Sequence, residues 1–160
     1  EFALILEDDA SLSDFVVDVL DQITNMEEKW DIIKLCVPPK KKAFFPKRTF
    51  SNGFILCRYK KIPARTTGYL VTMQGAKKLL DARTFFGRPV DDDMQFYWEF
   101  DGKVLGVEPS VISCSEESNS SEIDFLGAKR GRKTLISQIK APLLRLEYEL
   151  KLRYHNSKYI

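Results

Sequence analysis

The residues of this sequence placed to do chemistry are carboxylates. Glu7, Asp8 and Asp9 follow the apolar run Phe2 to Leu6, and Asp91, Asp92 and Asp93 follow Arg88-Pro89-Val90. Adjacent carboxylates repel one another, and a divalent cation or an outward fan into solvent relieves the repulsion. Each run also has a structural use. Asp8 or Asp9 can cap a helix, and the second triplet can complement the dipole at a helix start. Other chemistries are poorly supplied. The single histidine, His155, stands beside Asn156 near the end of the chain, so a triad, a histidine-ligated zinc or an imidazole base would all run through it. Cys36, Cys57 and Cys114 lie more than twenty residues apart and fit neither a disulfide framework nor a zinc spacing, which points to a reducing compartment. Asn119-Ser120-Ser121 has the glycosylation acceptor pattern, a tripeptide that arises by chance in serine-rich stretches.

The elements that must position the acids follow from periodicity. Phe2 to Leu6 reads as a buried strand delivering Glu7-Asp8-Asp9 at its carboxyl end, where open α/β sheets bind ligands. Ser11 and Asp14 form a capping-box-like pair before a helix carrying Phe15, Val16, Val19, Leu20, Ile23 and Met26. Asp31 to Val37 is a second strand, stopped by Pro38-Pro39. Residues 38–50, with Lys40, Lys41, Lys42, Lys47 and Arg48 among Phe44, Phe45 and Phe50, read as a mobile loop. Short strands are expected at Phe54 to Arg58, Tyr69 to Thr72 and Val104 to Val107. Helices are expected at Gln74 to Ala82, capped near Thr72, and from Asp91 to Phe100.

The chain has 160 residues, 44% of them apolar, enough for one compact domain with a real core. No apolar run approaches the roughly 18 residues of a membrane span, and Glu1-Phe2-Ala3-Leu4 lacks the basic region of a signal peptide. Charge is unevenly distributed. From Lys129 onward there are nine basic residues against two acidic ones, while residues 1–128 hold sixteen basic and twenty-one acidic ones. The body is acidic and the tail is basic. In that tail Ile139, Leu143, Leu146, Leu150 and Tyr154 make one helical stripe, with Pro142 as a kink or a fresh start. No internal repeat is present.

Ala3-Leu4-Ile5-Leu6-Glu7-Asp8-Asp9-Ala10 is similar to the acidic signature of glycosyltransferase family 25, which includes lipooligosaccharide and collagen galactosyltransferases. Three further segments agree in order: Thr66-Thr67-Gly68-Tyr69-Leu70-Val71-Thr72, Gly75-Ala76-Lys77-Lys78-Leu79-Leu80 and Pro89-Val90-Asp91-Asp92-Asp93-Met94. The resemblance implies an α/β, GT-A-like, Rossmann-related nucleotide-sugar transferase domain. Family members carry a nucleotide-binding segment ahead of the acidic strand, so residues 1–112 would be the carboxyl-terminal part of the catalytic domain. Residues 113–128 would be a flexible Ser/acid-rich segment, and 129–160 a basic amphipathic helical tail.

The implied reaction is inverting transfer of a hexose, galactose favoured, from a UDP-sugar to a glycan or glycolipid acceptor in lipopolysaccharide or cell-surface glycan biosynthesis. Asp9 would bind a divalent ion, Mn2+ favoured over Mg2+, bridging the diphosphate. Glu7 or Asp8 would hold the ribose or a metal-bound water. Asp91 is the best matched general base, with Asp92 and Asp93 as close rivals, and Thr67, Gly68 and Tyr69 would line the donor or acceptor cleft. The tail suits an anionic membrane surface, and no nucleic-acid partner is expected. The implied location is the cytoplasm, peripheral on the inner membrane face, or the endoplasmic reticulum lumen in a eukaryote.

Rival readings come from other classes. A receiver domain begins in the same way, but Cys36 stands where its phosphorylated aspartate should be. A phosphohydrolase needs Asp where Glu7 stands. A catalytically degenerate glycosyltransferase-like binding module shares every motif.

Overall fold

The computed structural model describes residues 1–39, 42–85, 87–114 and 135–157. The chain divides into two units, residues 1–116 and 117–160. The first is built on a mixed six-stranded sheet with strands β1 (Phe2–Leu6), β3 (Ile32–Lys34), β4 (Phe44–Thr49), β5 (Ile55–Tyr59), β6 (Gly68–Thr72) and β7 (Val104–Glu108), in the order β1-β6-β3-β7-β5-β4. A separate pair joins β2 (Ala10–Leu12) to β8 (Ile112–Cys114). β3 and β7 are parallel, and β1 and β3 both run antiparallel to the β6 between them. The carboxyl ends of β1, β3 and β7 therefore share one end of the sheet.

Strand alternation sorts the two faces. Leu4, Leu70, Ile33, Leu105, Val107 and Leu56 face helix α1 (Val16–Thr24), which buries Val16, Val19 and Ile23 against them. The opposite face carries Ile32, Lys34 and Cys57, all fully buried, with Tyr59 packed beside Cys57. Helix α2 (Met73–Ala82) starts at Thr72, whose hydroxyl accepts from the Gly75 amide at 2.9 Å. Gly75 is needed here, because a Cβ would lie 2.5 Å from the Asp31 carbonyl oxygen.

At the amino end of β3, buried Asp31 accepts from the Lys78 ammonium and from the Lys103 amide, both at 2.8 Å. One carboxylate thereby ties α2 and the approach to β7 to the sheet.

Several sequence expectations are corrected. β1 is an edge strand of the described sheet, with Ile5 and Leu6 exposed, because it has a strand neighbour on one side only. The loop expected over 38–50 contains β4, paired to β5 with a register shift between Pro46 and Arg48. Its exposed Lys47 and Arg48 suit an edge strand, where charge discourages further pairing. Ser11 does not cap α1, since it lies in β2 opposite Ser113, and Phe15 is the N-cap without a side-chain bond. The helix expected from Asp91 to Phe100 is a short α3 (Val90–Asp93) followed by a 3-10 segment Met94–Glu99 that breaks at Phe96. Ser113 and Cys114, expected in the serine-rich segment, belong to β8, and the rest of that segment lies outside the described residues.

In the second unit, helix α4 (Leu135–Ser157) runs through Pro142. Leu143, Leu146, Leu150 and Tyr154 are exposed along it, and Lys151 pairs with Glu147 at 2.7 Å. Among the described residues no helix is long and apolar enough to cross a membrane.

Candidate active site

The acidic turn after β1 meets the amino end of β6. Glu7 continues the β1 pairing through its amide, which donates to the Thr67 carbonyl at 3.0 Å. Its side chain then receives two hydroxyls, Thr66 Oγ1 on Oε1 at 2.5 Å and Thr67 Oγ1 on Oε2 at 2.8 Å. Each carboxylate oxygen is thus held by a different residue, which fixes the plane of the group. Thr67 is buried and also contacts Cys114 Sγ at 3.2 Å.

On the far side of β6 from β1, β3 contributes Lys34, which register places between Tyr69 and Gly106. Lys34 is wholly buried. Its ammonium donates to the Pro63 carbonyl at 2.6 Å and to the Arg65 carbonyl. Burial pushes its pKa down to about 8, against the opposing pull of Asp91, Cys36 and Glu7. The turn it holds is strained, for Arg65 has φ of 89° in the region that L-residues seldom occupy. Burial also raises the Tyr69 phenol, with the Glu7 charge acting in the same direction, and raises the Cys36 thiol.

Gly68 contributes packing and backbone. A Cβ there would come within 2.7 Å of Ile112, and its carbonyl accepts from the amides of Leu35 and Cys36 at 3.0 and 3.1 Å. Asp8 is exposed at the turn. Asp9 is half-buried, and its Oδ1 is shielded from solvent with no hydrogen-bond partner among the described residues.

The family model described as "Glycosyltransferase family 25 (LPS biosynthesis protein)" matches residues 1–94, a span that contains both acidic triplets. The chain belongs to glycosyltransferase family 25. It is therefore a glycosyltransferase of a family described by its role in LPS biosynthesis, with a sugar donor and an acceptor as its partners. No curated protein matches the sequence.

Within this transferase the second triplet divides three ways. Asp93 is committed to ion pairs, with Arg83 Nε at 2.5 Å and Arg88 Nη1 at 3.1 Å, while the same two arginines hold Glu99 at 2.9 and 2.8 Å. Arg88 also lies 3.8 Å over the Phe96 ring, which closes the segment around the break. Asp92 is exposed and accepts from Gln95 at 3.0 Å. Asp91 accepts from the Asp92 amide at 2.9 Å and is the strongest charge pulling the Lys34 pKa upward. Lys34 thus feels both Asp91 and Glu7, one from each triplet.

Among the described residues no three His, Cys, Asp or Glu side chains are grouped to hold a metal. Hard divalent ions of the Mg2+ class are nonetheless often held by one or two carboxylates plus substrate phosphates. The unpartnered Oδ1 of Asp9 fits that arrangement. Sequence reasoning missed Lys34, Arg65 and Cys114. The available signal was a lysine in the midst of the apolar strand Ile32-Ile33-Lys34-Leu35-Cys36.

Proposed function

We propose that this glycosyltransferase moves a hexose, galactose favoured, from a UDP-sugar to a glycan or glycolipid acceptor with inversion at the anomeric carbon. The observation that carries the reading is the gathering of Glu7, Asp9, Thr66, Thr67 and Lys34 at the carboxyl ends of parallel strands, with Asp91 within electrostatic reach of Lys34. In GT-A-like terms Asp9, with Glu7 beside it, would hold a manganese-type ion. When bound, such an ion offsets the negative charge of a departing nucleoside diphosphate. Glu7, its plane fixed by the two threonines, orients the donor, with Asp8 exposed beside it and Thr67, Gly68 and Tyr69 forming the adjoining wall. Asp91 takes the proton of the acceptor hydroxyl as that oxygen bonds to the anomeric carbon and the bond to the diphosphate breaks.

The test is a UDP titration with and without Mn2+. Wild type should bind UDP in a manganese-dependent manner, and Asp9→Asn should lose that dependence with its unfolding transition unchanged. Unaltered binding by the variant removes the ion from Asp9. A stable wild-type fold with no nucleotide affinity would favour a catalytically degenerate binding module.

The tail supports a location for the same reaction, peripheral on an anionic membrane face where a lipid-linked acceptor is presented. Leu143, Leu146, Leu150 and Tyr154 are exposed in a tail with nine basic residues from Lys129 onward. Each engaged Lys or Arg contributes on the order of 1 kcal/mol at such a surface. Intact chain should sediment with anionic liposomes in a salt-sensitive manner, and a chain ending at Leu126 should not. Equal sedimentation by both removes the tail from membrane docking.

A further inference from the structure

A buried lysine whose side-chain bonds all go to carbonyl groups is an expensive feature, because desolvating an ammonium is strongly unfavourable unless an opposite charge compensates. The hydrogen bonds of Lys34 go to Pro63 and Arg65, both main-chain oxygens of one turn. That turn leads directly into Thr66 and Thr67, and Arg65 is held there at a φ of 89°. A strained turn persists only where its surroundings over-determine it, and here the ammonium supplies the constraint from below. The two residues that follow then donate one hydroxyl to each oxygen of Glu7, at 2.5 and 2.8 Å.

We infer that Lys34 is a positioning residue that acts on Glu7 through the 63–67 turn. The chain of contacts runs from the ammonium to the Pro63 and Arg65 carbonyls, then to the Thr66 and Thr67 hydroxyls, and ends on the Glu7 carboxylate. Asp31, three residues earlier and immediately before the same strand, makes the contrast. It has an ion-pair partner in Lys78 and needs no further purpose than holding elements together. The consequence for donor binding rests on the assignment of Glu7 to the donor site, whereas the positioning of Glu7 does not.

Two measurements on the full chain separate these statements. In the first, the side-chain carboxyl 13C resonance of Glu7 is compared in wild type, Lys34→Met and Thr66→Val/Thr67→Val. Lys34→Met should move the Glu7 resonance toward its place in the double threonine variant while leaving Asp8 near its wild-type position. A folded Lys34→Met protein with an unmoved Glu7 resonance overturns the inference. If the methionine variant does not fold, Lys34→Gln, which keeps a shorter donor, should give an intermediate displacement, and an unmoved Glu7 there overturns it equally. In the second measurement, UDP is titrated in the presence of Mn2+. Lys34→Met should weaken binding about tenfold, with no added loss when introduced into Glu7→Gln. A displaced Glu7 resonance with unchanged UDP affinity supports the positioning role and refutes the donor-site assignment of Glu7. An undiminished tenfold loss in the Glu7→Gln background overturns the inference, because Lys34 would then act by another route.

Discussion

The two ends of β3 carry buried charges of opposite sign, and the fold treats them differently. Asp31 at the amino end is neutralised by Lys78 and a main-chain amide, so its burial knits α2 and β7 to the sheet. Lys34 at the carboxyl end is given carbonyls, with Asp91 and Glu7 acting on it through space. The satisfied charge belongs to the scaffold, and the incompletely satisfied one belongs to the end where the acidic turn, the two threonines and Asp91 gather. The second triplet repeats the distinction within three residues. Asp93 is consumed by Arg83 and Arg88, while among the described residues the Asp91 carboxylate accepts from its neighbour's amide alone.

That distinction predicts its largest effect at Asp91. Asp91→Asn, assayed with donor and acceptor, should lower turnover by about two to four powers of ten with UDP affinity nearly unchanged. Asp93→Asn should instead show itself as lost stability, because it removes one of the two carboxylates that Arg83 and Arg88 share. If Asp92→Asn or Asp93→Asn depresses turnover in this way and Asp91→Asn does not, the base is the other residue and the contrast drawn within the triplet fails.

At the opposite end of the sheet the expected effect is on stability. Breaking a buried ion pair by removing one partner costs roughly 3 to 5 kcal/mol. Lys78 keeps some access to solvent, with 24% of its side chain exposed, and can recover part of its hydration. Asp31→Asn should therefore lose about 3 kcal/mol of unfolding free energy, at the low end of that range. Denaturant unfolding checks this, and a loss well below about 1 kcal/mol would mean that Asp31 is no more than a surface-grade pair.

The sequence made β1, β5, β6, β7 and α2 legible because their signals are local, apolar runs and the Thr72 cap, whereas the strand expected from Asp31 to Val37 is shorter, β3 ending at Lys34 ahead of Pro38-Pro39. Phe2 to Leu6 and the helix after Thr72 have the expected bounds to within a residue. β4 was not legible, since its lysines, proline and scattered aromatics look like a loop until β5 supplies a partner. The break at Phe96 was hidden for a related reason, because the Arg83, Arg88, Asp93 and Glu99 cluster that surrounds it joins residues up to sixteen apart. The acids of the site and Thr67 could be named from sequence, but Lys34 and the bonds by which Thr66 and Thr67 orient Glu7 could not. Thr66 and Thr67 reach Glu7 across about sixty residues, and only strand pairing brings them together.

The subtlest test separates the two ends of β3 by pH. The Lys34 ammonium has a pKa near 10.5 when unfolded and about 8 in the fold, because burial, reinforced by the like charge of Lys42, outweighs the opposing pull of Asp91, Cys36 and Glu7. Between these values the unfolded chain binds more protons than the native one, so stability attributable to Lys34 rises with pH across that window. Below about 8 both states are protonated and the full penalty of burial is present. The slope can reach about 1.4 kcal/mol per pH unit. Other titrating groups occur in both proteins when wild type is compared with Lys34→Met, and to first order they cancel. The wild-type minus variant difference in unfolding free energy should be flat from about pH 6 to 8 and climb from about pH 8 to 10. A flat difference throughout would mean that water reaches the ammonium, and the uncompensated buried charge that sets Lys34 apart from the paired Asp31 would no longer distinguish the two ends.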